Sequence, residues 1–176
     1  VDALPLDPLR AALGETEAWL VGGVIRDLLR GEAVSSDIDV ALDGELEPVL
    51  ARLAAAEVEV EVSHERFATA TARDGDLVID LARTRRETYA HPGALPEVEP
   101  AGIEADLARR DFTINAMAVP LAGSGGLIDP YEGAADLASG RLRVLHERSF
   151  ADDPTRAIRG ARYAARYSLA PDPGTL

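Results

Sequence analysis

Cysteine, lysine and glutamine are all absent from the 176 residues. Without cysteine there are no disulfides, no thiolate zinc sites and no cysteine nucleophile. Without lysine, all 18 basic residues are arginines, a bias that, with the abundant alanine, speaks of codon usage more than of function. No apolar run approaches the ~18 residues that would cross a membrane. The N-terminus carries Asp2 and Asp7 where a secretory signal would carry cations, so a cytoplasmic protein is expected. The chain begins with Val1 and its one methionine is Met117, which suggests a piece of something longer.

What is present is acid. The chain has 31 acidic residues and a net charge of −13. Residues 1–80 hold 18 acids against 6 arginines, whereas residues 141–176 hold 4 against 7. A strong nucleic-acid grip normally shows as a basic footprint. Here only the last 36 residues, Arg83 with Arg85 and Arg86, and the pair Arg109 and Arg110 could supply one. The shift from acidic to basic near Gly140 marks the expected domain boundary. It would divide the chain into residues 1–140 and residues 141–176.

The residue pattern predicts a mixed α+β chain. Ala18 to Val21 reads as a strand that stops at Gly22 and Gly23, and a helix follows to Arg30. Ser36 to Leu42 alternates, with Asp37, Asp39 and Ala41 on one face and Ile38, Val40 and Leu42 on the other. Leu46, Val49, Leu50 and Leu53 form a helical stripe. Val58, Val60 and Val62 alternate with glutamates as a further strand. Phe67 to Ala72 and Leu77 to Ala82 form a hairpin around Asp74 and Gly75. From Thr84 to Gly102 there is no periodicity and there are three prolines, which predicts a long functional loop. Ile103 to Arg110 reads as a short helix, and Leu127 to Pro130 and Leu142 to Leu145 as short strands. Asp152 to Tyr167 reads as one helix with Pro154 in its first turn. Trp19 and Phe67 are expected in the core. His64, His91 and His146 share no ligand spacing and are expected to be structural or solvent-exposed. Asp129 is expected either to brace the site or to cap a turn.

Three constellations carry chemistry. In the first, Gly22 and Gly23 let backbone approach a phosphate, and Arg26 adds a planar cationic fork. Behind them, Asp37 and Asp39 stand at i and i+2 on one strand face. Two such carboxylates repel unless a cation lies between them, and hard oxygen ligands suit Mg²⁺. Asp80 is the candidate third carboxylate from a neighbouring strand. Two ions could clamp the attacking and leaving oxygens of a phosphoryl transfer. In the second constellation, Arg109, Arg110, Asp111 and Asn115 could hold a triphosphate and a ribose hydroxyl. In the third, Asp152, Arg156, Arg159, Arg162 and Arg166 fall in one helical sector, with Ala157, Ile158, Ala161 and Ala165 opposite. This predicts that the apolar side packs and the arginine side is presented. An Asp–Arg pair can read a base edge, accepting C and A and rejecting G and U.

Taken in this order and spacing, the segments Val21 to Asp27 (VGGVIRD), Asp37 to Asp39, Arg109 to Ala118 (RRDFTINAMA), Leu127 to Pro130 (LIDP) and Asp152 to Arg156 (DDPTR) resemble the class II tRNA nucleotidyltransferases. That family comprises CCA-adding enzymes and bacterial poly(A) polymerases. The resemblance runs from about Trp19 to Pro171. It implies a polymerase-beta-like nucleotidyltransferase head, a mixed β-sheet flanked by helices, and then the beginning of a helical neck.

It further implies template-independent addition of C and A to tRNA 3′ ends from CTP and ATP, with pyrophosphate released. Asp37 and Asp39 would be catalytic, with Mg²⁺, two ions, on them, and Asp80, from the strand pattern, is the further catalytic candidate. Gly22, Gly23, Arg26, Arg110, Asp111 and Asn115 would bind the nucleotide. So would Asp152, Asp153, Arg156, Arg159 and Arg162, with Asp153 and Arg156 reading the base. The loop after Arg83 corresponds to the family's flexible loop. The family's neck motif opens with Glu where this chain has Asp152, and the family continues past the equivalent of Leu176 into regions that hold the tRNA. Tyr89 to Pro96 and Leu142 to His146 resemble a subgroup that includes CC-only and A-only enzymes. A poly(A) polymerase of the same family and a non-catalytic nucleotide-binding module are the other readings. A calcium loop at Asp37 to Glu45 lacks the spacing and the glycine of an EF-hand.

Overall fold

The computed structural model describes residues 4–64, 68–122 and 125–175; the side chains of residues 62–64 also fall outside that description. Phe67 and the His64 side chain therefore lie outside the described residues. The chain divides into two compact units, residues 1–84 with 118–127 and residues 85–117 with 128–176.

The first unit contains α1 (Asp7–Leu13), β1 (Glu17–Val21), α2 (Gly23–Leu29), β2 (Asp37–Asp43), α3 (Leu46–Ala55), β3 (Glu59–His64), β4 (Thr69–Asp74) and β5 (Leu77–Arg83). In the second unit lie β6 (Arg85–Thr88), β7 (Glu97–Pro100), α4 (Ile103–Ala108) and a 3₁₀ turn at Thr113–Asn115. The chain then returns to the first unit for β8 (Ala118–Pro120). It closes in the second with α5 (Gly133–Ala138), β9 (Arg141–Leu142), α6 (Ser149–Asp152), α7 (Thr155–Tyr167), β10 (Ala170–Pro171) and a 3₁₀ turn at Pro173–Thr175.

The first unit is a six-stranded mixed sheet of order β3-β4-β5-β2-β1-β8 flanked by helices. Alternation fixes its strands. In β2, Ile38, Val40 and Leu42 are buried while Asp37, Asp39 and Asp43 are exposed. Ala41 departs from the expected pattern and is buried as well, because β2 is central, with β1 and β5 on its two sides. β4 and β5 form the expected hairpin, closed at Asp74 and Leu77 with Gly75 at φ 59°. Leu46, Val49, Leu50 and Leu53 of α3 are all buried, as their spacing requires, and so is Trp19. At the end of α1, Arg52 donates to the Ala12 and Leu13 carbonyls at 2.9 and 3.4 Å, satisfying acceptors that a helix end leaves open.

The second unit packs around Phe112, Ile114, Leu137, Leu142, Val144, Tyr163, Tyr167 and Leu169. Phe112 meets Tyr163 edge-on at 5.8 Å, and Tyr163 stacks on Tyr167 at 6.2 Å. Gly160 is what lets α7 come this close. A Cβ there would stand 2.8 Å from Phe112 Cζ.

Three expected elements are redrawn here. The stretch from Thr84 to Gly102 is not structureless, since Arg85–Thr88 pairs antiparallel with Glu97–Pro100 as a ribbon. Leu127 to Pro130 is not a strand. Instead, Asp129 caps the first turn of α5, accepting from the Gly133 and Ala134 N–H groups at 2.7 and 3.0 Å. The expected helix from Asp152 is two, α6 and α7, parted at Asp153 and Pro154, because proline leaves its predecessor extended.

The largest correction concerns α7. Its buried side is Arg156, Gly160, Tyr163 and Tyr167, while Ala157, Ile158, Ala161 and Ala165 are exposed, Ile158 at 76%. Two tyrosine rings bury more apolar surface than a line of alanines, and they decide which face turns inward.

Candidate active site

In the first unit the sheet register builds the acidic face. Asp37 and Asp39 project from the same exposed face of β2, two residues apart. The parallel neighbour β5 sets Asp80 directly opposite Asp39. Asp80 is exposed between buried Ile79 and Leu81, and its Oδ1 accepts from the Thr71 hydroxyl at 2.7 Å. The Asp37 carboxylate has no side-chain donor among the described residues; only its backbone N–H is engaged, on Ser35 Oγ at 3.1 Å. The donor set is thus hard carboxylate oxygen, exposed and facing one way, which fits a divalent cation that keeps waters and substrate oxygens in its shell. Among the described residues no group of three or more His, Asp or Glu is arranged to hold a metal by itself. Asp37 and Asp39 therefore form an open acidic face and not a closed protein cage.

Gly22 joins β1 to α2 with φ 71°, a backbone that side chains rarely adopt. Arg26 does not extend outward from α2. It is buried, and its guanidinium pairs with Asp27 through Nε and Nη2, both at 2.9 Å, with Nη2 also 3.2 Å from where a Gly23 Cβ would stand.

In the second unit the arginines form a partly buried ionic chain. Asp106, fully buried, accepts from Arg109 at 2.9 and 2.7 Å and from Arg110 at 3.0 Å. Burial pushes the Asp106 carboxyl up, but the Arg110 and Arg109 charges outweigh it and hold the pKa below the usual carboxylate range. Arg109 also reaches Glu87 of β6 at 3.1 Å, and Glu87 accepts from Arg85 and the Tyr89 hydroxyl. Burial and the Glu87 charge push Tyr89 up to about 12. Arg110 Nε is buried with no hydrogen-bond partner among the described residues.

Asp111 and Asn115 are tied into this unit by hydrogen bonds. Asp111 Oδ1 accepts from the Phe112 N–H and Asn115 Nδ2, and Oδ2 accepts from Arg159 Nε at 2.8 Å. Asp153 Oδ1 takes the Thr155 N–H and hydroxyl, at 2.9 and 2.6 Å. Arg156, expected on a presented face, is buried, with Nη1 on Ser149 Oγ at 2.9 Å and Nη2 on the Arg109 carbonyl at 2.8 Å. Arg159 and Arg162 are exposed and lie against the Tyr163 ring at 5.6 and 5.5 Å. Asp152 lies 3.6 Å from Arg148 and 4.0 Å from His146, whose pKa is lowered by burial and by the Arg156 charge. His91 is exposed.

Sequence reasoning missed Asp106, Glu87 and Ser149. Asp106 had a signal, since it stands three and four residues before Arg109 and Arg110 on one helical face. Glu87 had only its neighbours Arg85 and Tyr89, and nothing announced its contact with Arg109, 22 residues away, or that of Ser149 with Arg156, 7 residues away across a helix break.

Comparison with known proteins places this geometry. Residues 18–143 match the family described as "Poly A polymerase head domain". The chain is 44% identical over 153 residues to the A-adding tRNA nucleotidyltransferase of Halalkalibacterium halodurans, covering 85% of this chain and 36% of that protein. It is 42% identical over 174 residues to the CC-adding tRNA nucleotidyltransferase of Deinococcus radiodurans, covering 97% of this chain and 46% of that protein. Among solved structures, a CCA-adding enzyme in its apo form II superposes with a TM-score of 0.84 at 40% identity, covering 93% of this chain and 40% of that one. A tRNA nucleotidyltransferase complexed with a primer tRNA and an incoming ATP analog superposes with a TM-score of 0.81 at 38% identity, covering 96% and 47%. The chain thus spans less than half the length of these relatives.

Proposed function

Since the chain belongs to the poly A polymerase head-domain family, we propose that it carries the catalytic part of an enzyme that adds C and A nucleotides to tRNA 3′ ends without a template, from CTP and ATP, releasing pyrophosphate. The observation that carries this reading is the pair Asp37 and Asp39, exposed on one face of a strand whose other face is locked in the core. The nucleotidyltransferase family uses divalent metal. In this chain Asp37 and Asp39 would hold Mg²⁺, two ions, with Asp80 steadied by Thr71 as the third acid of the face. Bound there, Mg²⁺ supplies charge neutralisation for the triphosphate and a lowered pKa for the attacking hydroxyl.

The protein's own groups bind and orient. Gly22 and Gly23 let backbone approach phosphate, and Arg26, braced by Asp27, adds positive potential beneath them. Arg110, held by Asp106 at 3.0 Å, would add a cationic donor for the triphosphate. Asp153 and Arg156 read the base. Asp111 and Asn115 serve the nucleotide by holding Arg159, and Asp152 and Arg162 complete its surroundings. Residues 141–176 are the start of the neck, a division supported by the family match ending at residue 143. A cytoplasmic site of action accords with there being no helix long and apolar enough to cross a membrane among the described residues.

A second reading, a partial adder that supplies only A or only CC, is favoured by the higher identity to relatives named for those single activities than to those named multifunctional, at 37–38%. One experiment addresses both. The intact protein is given Mg²⁺ and tRNA ending before, within or after its CC, with CTP or ATP alone. Addition from both nucleotides supports the full activity, addition from one supports the partial adder, and no transfer in any combination leaves only a nucleotide-binding module.

A further inference from the structure

Arg156 is a buried cation whose orientation is set by three groups. Nη1 donates to Ser149 Oγ at 2.9 Å, Nη2 donates to the Arg109 carbonyl at 2.8 Å, and Nε lies 3.9 Å from Asp153 Oδ2. Its side chain is 5% exposed, and Ser149 is wholly buried. A guanidinium is planar and rigid. Once each Nη has one hydrogen on a fixed acceptor, the direction of its second hydrogen is fixed too.

Both acceptors are held. Ser149 opens α6, and its N–H donates to the His146 carbonyl at 3.1 Å. Arg109 ends α4 with its side chain clamped on two sides, by Asp106 at 2.7 and 2.9 Å and by Glu87 at 3.1 Å. Glu87 belongs to the β6–β7 ribbon, and the turn of that ribbon is tied to α6 as well, since the Gly93 N–H donates to the Ala151 carbonyl at 2.9 Å.

We propose that Ser149 and Arg109 are positioning residues for nucleotide selection, holding the Arg156 guanidinium at one angle, with Glu87 of the ribbon steadying Arg109. This rests on the base-reading role given to Arg156 above. Bases differ in the pattern of donors and acceptors along an edge, so a fixed fork rejects the wrong pattern by leaving a polar group unpaired. A fork free to swivel adapts to several patterns. Loosening Arg156 therefore lowers selectivity before it lowers transfer.

The test uses the intact protein with Mg²⁺, a tRNA primer and each of CTP, ATP, GTP and UTP in turn, with kcat and KM measured separately. Ser149→Ala is expected to reduce the preference for the cognate nucleotide over GTP and UTP about tenfold, the scale of one hydrogen bond to a charged group. Its kcat with the cognate nucleotide should stay within about threefold of the parent, because no group at the reacting phosphate is touched. Glu87→Gln should shift the preference the same way, by less. With ¹⁵N-labelled arginine, rotation of the Arg156 guanidinium should be slow in the parent and faster in Ser149→Ala. If Ser149→Ala does not fold, Ser149→Cys, a near-isosteric change with a weak acceptor, carries the same measurements.

An unchanged preference in a folded variant, or a loss shared equally by all four nucleotides, overturns the positioning role. Arg156→Lys run alongside separates the two layers. If it relaxes selection while Ser149→Ala does not, the positioning role fails and base reading stands. Should Arg156→Lys leave selection intact, base reading itself fails.

Discussion

Strand β2 and helix α7 carry the two halves of the proposed chemistry, and they obey different rules. In β2 the functional acids face out because Ile38, Val40 and Leu42 must face in. Period-two alternation makes the working face the complement of the core face. In α7 the residue proposed to read the base sits on the packed side itself, Arg156 in line with Gly160, Tyr163 and Tyr167. The lesson is that exposure finds metal-binding acids, which need water and substrate. A selector that must not move is found by burial and by spent hydrogen bonds.

The sharpest way to break this contrast is at β2. Asp37→Ala or Asp39→Ala is expected to lower nucleotide transfer by at least about a thousandfold. Neither should change the melting temperature appreciably, since both side chains are exposed. Incorporation of labelled CTP or ATP and a thermal melt measure the two effects. Unfolding in place of inactivation would mean that the face is structural.

Next in size is the ionic chain of the second unit. Asp106→Ala strips Arg109 and Arg110 of their shared carboxylate and should cost about 2–4 kcal/mol of stability in denaturant unfolding. Its pH behaviour has a definite sign. The folded pKa of Asp106 lies below the unfolded value of 3.8, so its contribution is fully present above that pH and is lost as pH falls through the folded pKa. Asp106→Asn should accordingly flatten the loss of stability below about pH 4, as read from melts across pH.

At the contact of α7 with Phe112, Gly160→Val should cost about 1–3 kcal/mol, because the added carbons enter a filled core. The smallest effect is expected on the opposite side of the same helix. Ile158→Ser should change the stability of this chain by no more than about 0.5 kcal/mol. A larger loss would show that the alanine and isoleucine face is covered after all.

These contrasts also explain what is legible in the sequence. The strand with Asp37 and Asp39, the α3 stripe and the Asp74–Gly75 hairpin were legible because each is periodic and local. The buried side of α7 was not. A helical wheel ranks alanine and isoleucine above arginine and tyrosine, but tyrosine rings bury more, and Arg156 finds acceptors in Ser149 and Arg109 that no local pattern announces. The β6–β7 ribbon was hidden for a related reason. Its strands are short, rich in charge and joined by a proline-containing connection, and it is steadied by Glu87 pairing with Arg85 and Arg109, not by an apolar face.

The parallel pairing of β2 with β5 carries a consequence for how this chain can change length. A shift of β2 by one position would turn Ile38 and Val40 to water and Asp37 and Asp39 into the interior, so folding itself proofreads the placement of the acids. Deleting a single residue inside β2 should abolish the folded state outright. Adding or removing one in the exposed lead-in from Gly31 to Ser35 should be absorbed, leaving the acids where they were.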